Sequence, residues 1–313
     1  MNLSIPSSSA VSRTLESLHQ VITGIYPTVP TMPPISIYSR PARDENLYPN
    51  DEYCLRLLNL SRAFASLAAE KWNSHPDMQY LQSRIGKYLK TPVTVDGKPR
   101  LSGIKDTINT TFAHGPEVRM PKEFYEPRVR KIINDIVVEE WFKGFGQSSE
   151  YRRLGAGPLL EDLKARMVAV AKGDSELKFA LYGCHDTTLG GLLASLGAFD
   201  GQWPPFTSSI AIELFKGPVS LVQEGEVTDT FPLTEKEGWG WRRLFGAGAR
   251  SQPAADTGVV NGYYVRLRYN DKPVIVKGCR PKGRHLEGDE SLCTLVSCTR
   301  GCVTGGLYVL ADS

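Results

Sequence analysis

Leu177-Lys178-Phe179-Ala180-Leu181-Tyr182-Gly183, then Cys184-His185-Asp186-Thr187-Thr188, then Leu189 through Ala198 is the stretch that decides the fold. Its first seven residues read as a short buried strand. Leu189, Leu192, Leu193 and Leu196 follow at helical spacing. Where such a strand ends and a helix begins, unpaired backbone N–H groups and the positive end of the helix dipole are exposed. An imidazole (His185) and a carboxylate (Asp186) at that junction can hold an anion and move a proton. The competing reading is plainer: Asp186 or Thr187 only caps the helix, and His185 is a satisfied, partly buried residue.

On the N-terminal side the pattern is helical. Residues 12–25 predict an amphipathic helix, with Ser12 as N-cap, Glu16 facing back toward it, and Leu15, Leu18, Val21, Ile22 and Ile25 on the apolar face. Residues 28–50 are rich in proline and read as extended chain, with a short strand at Ile35 to Tyr38. Further helices are expected over 51–72, 76–89, 101–112, 128–143 and 156–172, separated by turn signals such as Asp96-Gly97 and Gly144-Phe145-Gly146. On the C-terminal side strands are expected at Ser209 to Phe215, Gly262 to Tyr269 and Val274 to Val276, with Asn270-Asp271 as a hairpin turn. Residues 217–258 read as a long exposed loop.

The 313 residues are 41% hydrophobic and 23% charged, with a formal net charge of +3. That is an ordinary globular composition, long enough for two lobes. It makes no case for a nucleic-acid partner. No apolar run is long enough to span a membrane, and the polar start has no signal-peptide pattern. An intracellular, cytoplasmic location is the expectation. Of six cysteines, Cys279, Cys293, Cys298 and Cys302 crowd the C-terminus, but their spacing gives no paired Cys-x2-Cys knuckles. Cys279 and Cys293 allow a disulfide in an oxidising compartment; for an intracellular chain free thiols are expected. No metal or cofactor is called for, and oligomeric state is not legible.

The words around His185 are specific. Tyr182 through Leu189, Leu192-Leu193-Ala194-Ser195-Leu196-Gly197, Trp203-Pro204-Pro205-Phe206 and Ile212-Glu213-Leu214 resemble the C-terminal signature of the histidine acid phosphatases. These form the second branch of the histidine phosphatase superfamily. Tyr263 through Asn270, Asp289 through Cys293, and Ser12-Arg13-Thr14-Leu15-Glu16-Ser17 are similar to the same family. Tyr48-Pro49-Asn50 resembles its lysophosphatidic-acid-phosphatase-like subgroup. The resemblance implies an α/β fold, a phosphoglycerate-mutase-like three-layer core with a helical cap lobe. Residues 1–30 and 146–313 would form the core, and 31–145 the mainly helical lobe.

It also implies phosphomonoester hydrolysis through a phosphohistidine, on a small phosphomonoester or a lysophospholipid phosphate. By the resemblance Arg13 clamps the phosphate, His185 donates to a phosphate oxygen and Asp186 protonates the leaving alkoxide. That assignment is chemically coherent. Guanidinium groups bind phosphate with directed charge-assisted hydrogen bonds, covalent catalysis divides the hydrolysis, and a carboxylic acid discharges the leaving group. Asp186 must be protonated to do so, which would give an acid pH optimum.

The family's Arg-His-Gly-x-Arg-x-Pro nucleophile motif is absent from these 313 residues. Ala113-His114-Gly115 lacks the leading arginine and a preceding strand. His19 reads as a helix-surface residue, and His75 and His285 as loop residues without partners. The expectation is therefore a core lacking its first strand, and an incomplete or misjoined sequence at both ends. Three hypotheses stand: an acid phosphatase without its nucleophile motif, a non-catalytic phosphate-binding or interaction relative, and a zinc-stabilised domain built on the C-terminal cysteines.

Overall fold

The computed structural model describes residues 6–26, 36–217 and 260–298. The expected loop at 217–258 and the tail beyond 298 lie almost wholly outside them.

The deciding stretch folds around a very short ladder. Strand β1 (Ser7–Ser8) pairs in parallel with β2 (Tyr182–Gly183). Ser7 N donates to Leu181 O at 2.9 Å and Ser9 N to Gly183 O at 3.1 Å. Among the described residues the ladder covers two of the seven residues expected in the strand, and Lys178 and Phe179 are exposed rather than buried. Beyond Ser8 the chain turns into helix α1 (Ser12–Ile25). Tyr38 bridges Ser7 on the other side, which is what the described residues show of the strand expected at Ile35 to Tyr38; Ile35 lies outside them.

Helix α1 starts differently from expectation. Its N-cap is Val11, and no side chain caps it, so the Ser12–Glu16 box does not form. Thr14 Oγ1 instead turns back onto Val11 O (2.8 Å) and Ser9 O (3.0 Å), fixing the turn into the helix. Thr14, Leu18 and Ile22 are buried, whereas Val21 and Ile25 face solvent.

The middle of the chain is helical, as its periodicity predicts: α2 (Leu55–Trp72), α3 (Pro76–Ile85), α4 (Leu101–His114), α5 (Pro127–Gln147), α6 (Ser149–Gly155) and α7 (Gly157–Lys172). Gly144-Phe145-Gly146 is not a turn; α5 runs through it. A Cβ on Gly144 would meet the rings of Phe64 and Tyr151 at 3.0 and 3.1 Å, so the glycine serves a close approach of helices. One apolar cluster joins α3, α4 and the first half of α5 through Leu81, Ile85, Ile108 and Ile133. A second joins the far end of α5 with α6, α7, helix α8 (Asp186–Ser195) and the strands beyond.

Those strands form an antiparallel sheet ordered β3 (Ile210–Lys216), β4 (Tyr263–Tyr269), β7 (Asp289–Thr294), β6 (His285–Leu286), with β5 (Lys272–Val274) pairing the end of β4. Asn270 and Asp271, at φ 46° and 63°, make the expected hairpin turn. The mixture of helices and sheets is the α/β class expected from sequence. Cys279 is joined to Cys293, which corrects the expectation of free thiols, while Cys54 and Cys184 remain unpaired.

Helix α8 is held against α5 with no room to spare. A Cβ on Gly190 would lie 2.4 Å from the Phe142 ring, and one on Gly191 3.0 Å from Phe145. Gly190→Ala should therefore destabilise by about 1–3 kcal/mol through overpacking, although helix propensity alone would favour alanine by about 1 kcal/mol. Urea unfolding measures the sign; a stabilised variant would show that the packing is looser than this.

Candidate active site

The site forms where β2 gives way to α8. His185 is the N-cap residue of α8 in extended conformation, and Asp186 is its first helical residue. His185 N donates to Thr188 Oγ1 at 3.2 Å. The Thr188 hydroxyl donates in turn to Leu47 O, which ties the turn to the 45–50 segment. The helix end therefore supplies the positive dipole end expected from the sequence, and the capping that the plainer reading gave to Asp186 or Thr187 is shared between His185 and Thr188.

Arg13, exposed on the first turn of α1, reaches the same point. Its Nη2 lies 3.4 Å from His185 Nδ1, across 172 residues of sequence. Because a guanidinium only donates, Nδ1 is the accepting nitrogen and Nε2 carries the proton. Nε2 lies 2.9 Å from Ser9 Oγ, and Ser9 Oγ lies 2.8 Å from Thr14 Oγ1. With Nε2–H donating to Ser9, the Ser9 hydroxyl donates to Thr14, and the Thr14 hydroxyl ends on the backbone carbonyls of Ser9 and Val11. The one Thr14 hydroxyl hydrogen is shared between those two carbonyls; the Nε2–H and the Ser9 hydroxyl each have a single acceptor. Ser9 and Thr14 are buried, so the imidazole is held by a preset network. Burial and the Arg13 charge push the His185 pKa below 6.5, partly opposed by Asp186. The imidazole is neutral at pH 7. Tyr48 packs edge-on against it, ring centroids 5.5 Å apart.

Asp186 is exposed and held at both oxygens. Oδ1 accepts from Thr187 N at 2.8 Å, and Oδ2 accepts from Trp203 Nε1 at 2.6 Å. The indole packs on Phe142 and Trp141. Its face carries Lys105 Nζ, 3.7 Å from the ring centroid. Lys105 and Asp106 bring α4 of the helical region to the cleft. Burial lowers the Lys105 pKa to about 8, against the opposing pull of Asp106 and Asp186. The protein atoms packed around the Asp106 carboxyl raise its pKa, and Lys105 offsets part of that.

The three residues singled out from sequence, Arg13, His185 and Asp186, thus sit together. Ser9, Thr14, Trp203, Lys105 and Asp106 were missed. Trp203 and Tyr48 lay inside quoted motifs without a role attached; Lys105 stands out only as a charge within the apolar register Leu101, Ile104, Ile108. The other four histidines lie elsewhere. His19 is exposed on α1, and His114 is exposed at the end of α4. His75 and His285 do have partners, contrary to expectation. His75 Nδ1 caps α3 by accepting from Asp77 N, and His285 Nδ1 lies 2.7 Å from Cys279 O. Burial pushes the Cys184 thiol up to about 11, so it is no thiolate at neutral pH. Among the described residues no group of three or more His, Cys, Asp or Glu is arranged to hold a metal, and no helix is long and apolar enough to cross a membrane.

Comparison with known proteins gives the family of the chain. The family model described as histidine phosphatase superfamily (branch 2) matches residues 5–270. A probable acid phosphatase of Schizosaccharomyces pombe is 35% identical over 303 residues, 90% of this chain and 62% of its own length. Human lysophosphatidic acid phosphatase type 6 is 27% identical over 214 residues, 67% of this chain and 47% of its own. Human testicular acid phosphatase is 28% identical over 221 residues, 67% of this chain and 50% of its own. The chain thus spans between about half and two thirds of the length of these relatives.

Ser9→Ala removes the acceptor of His185 Nε2–H and the donor to Thr14 at a buried position. It should destabilise by about 1–3 kcal/mol and let the imidazole reorient. Urea unfolding and the His185 ring resonances read the two effects; unchanged stability with an unmoved ring would show that the network holds nothing.

Proposed function

This chain belongs to branch 2 of the histidine phosphatase superfamily, and from that premise we propose that its cleft is the phosphate and leaving-group half of an acid-phosphatase-type site. One observation carries the reading: an arginine, a histidine and an aspartate drawn from distant segments meet at the N-terminus of α8. Arg13 offers its free guanidinium N–H groups to phosphate oxygens. His185, whose burial and Arg13 neighbour favour the neutral imidazole, takes up a proton beside a bound dianion and donates to it. Asp186 protonates the departing alkoxide and then assists the attacking water. In the full reaction a histidine nucleophile at the opposite side of phosphorus forms and loses the P–N bond. None of the four other histidines lies at this site.

The proposal for residues 1–313 alone is accordingly phosphate binding with little or no turnover, and hydrolysis when the Arg-His-Gly motif is supplied. A phosphate-binding relative that does not hydrolyse is the second reading, favoured by that same absence of a second histidine at the site. The substrate class is a small phosphomonoester or a lysophospholipid phosphate. Its organic group would lie between Tyr48 and the Lys105–Asp106 edge of α4. That edge belongs to a cap lobe, 31–145, set over a core of 1–30 and 146–313. p-Nitrophenyl phosphate turnover by residues 1–313 at a normal acid-phosphatase rate would overturn the division of labour proposed here.

The pH dependence has a definite sign. Since burial and Arg13 hold the His185 pKa below 6.5, an anion of fixed charge gains affinity as pH falls through that range, because binding then draws in a proton. Sulfate titrated calorimetrically should bind with rising affinity from pH 7 to 5. His185→Gln should flatten that slope, and Arg13→Ala should weaken binding throughout by about tenfold or more. Equal affinity in all three proteins would place the anion elsewhere.

A further inference from the structure

Lys105 occupies a core position of α4, in register with Leu101, Ile104 and Ile108. It is 5% exposed, and its ammonium has no hydrogen-bond acceptor among the described residues. What it does have is the face of Trp203, whose own N–H is spent on Asp186 Oδ2. A lysine so buried is expensive to keep charged, and methionine would fill the same space. Its distinctive arrangement is that the ammonium lies over the face of an indole whose edge N–H holds the carboxylate.

We propose that Lys105 and Trp203 form a positioning relay for Asp186: the ammonium draws electron density from the indole face, and the strengthened indole N–H holds the carboxylate in place. The functional meaning of the relay rests on the reading of Asp186 as proton donor; the coupling itself does not. The ring is fixed for this task by Phe142 and Trp141, with centroids 5.0 and 5.9 Å away. Trp203 also touches both apolar clusters, so the relay runs from the helical region to the catalytic turn. The charged groups that face it are Asp106 beside Lys105 on α4, Asp186 and His185 at the start of α8, and Arg13 on α1, whose charge reaches Asp106 and His185. Cys184, the neighbouring thiol, stays protonated across the range that matters. Interaction between two titrating sites is reciprocal, so what Asp186 does to Lys105 measures what Lys105 does to Asp186.

The test uses the full chain labelled with nitrogen-15. The indole resonance of Trp203, identified by its loss in Trp203→Phe, is followed from pH 6.5 to 9.5. It should shift with a midpoint near 8, where Lys105 loses its proton. In Lys105→Met the resonance remains and the step disappears. In Asp186→Asn the step moves to lower pH, by roughly half a unit. Asp106→Asn moves it in the same direction and serves as the control on the same helix. A step that survives Lys105→Met, or that Asp186→Asn leaves in place, overturns the relay. Thermal unfolding gives a second reading. Lys105 has a lower pKa folded than unfolded, so the unfolded chain binds more protons between about pH 8 and 10.5, and stability should rise with pH through that window. Lys105→Met should raise Tm at pH 7 and abolish the rise; a lowered Tm with the rise intact contradicts the burial argument. If the indole coupling is found but sulfate does not bind at Arg13 and His185, the relay stands and the phosphatase reading falls.

Discussion

The structure depends on a two-rung parallel ladder. Ser7 and Ser8 beside Tyr182 and Gly183 bring the start of the chain to the turn that begins α8. From that register Ser9 meets His185, Thr14 meets Ser9, and Arg13 is aimed at the imidazole. The backbones leave no slack: a Cβ on Gly183 would lie 2.8 Å from both Ser8 Oγ and Thr14 O. A one-residue slip would turn every side chain of β1 to the other face and dissolve the arrangement without altering Arg13, His185 or Asp186 themselves. The position of the guanidinium is thus a consequence of strand pairing and not of the arginine itself.

A second constraint acts from the other side. Helix α8 is pressed onto α5 through two glycines against Phe142 and Phe145, and Phe142 also supports Trp203. The same aromatic residue therefore sets the height of α8 and the position of the indole that holds Asp186. Packing and chemistry are not separable here. A change at Phe142 reaches the carboxylate through two routes, helix placement and indole placement, which distant independent sites would not share.

Much of this was legible in the chain. The helical spacing of Leu189, Leu192, Leu193 and Leu196 placed α8, while the histidine–aspartate pair before it left a plain cap and an anion site both open until the family resemblance was weighed. The hairpin at Asn270-Asp271 was equally plain. What stayed hidden has a common character. Ser9 and Thr14 are short hydroxyl residues whose role exists only after the ladder forms, and no spacing rule links position 9 to position 185. Gly144 looked like a turn signal because sequence does not show which glycines are there for an approaching ring. The run Leu177–Gly183 reads as wholly buried because its apolar character does not show which faces meet solvent, and Lys178 and Phe179 are exposed. Lys105 did leave a trace, a charge in an apolar helical register, and that pattern is worth weighing as a sign of a site.

The central claim is that Arg13 and His185 bound one oxyanion pocket, with Asp186 at its lip. Crystals of the chain soaked in tungstate address it most directly, because tungsten scatters anomalously and mimics phosphate in charge and shape. The account predicts one strong anomalous peak within hydrogen-bond reach of both the Arg13 guanidinium and the His185 ring, at the N-terminus of α8. A peak bound elsewhere, with these side chains apart and turned to separate surfaces, would contradict it.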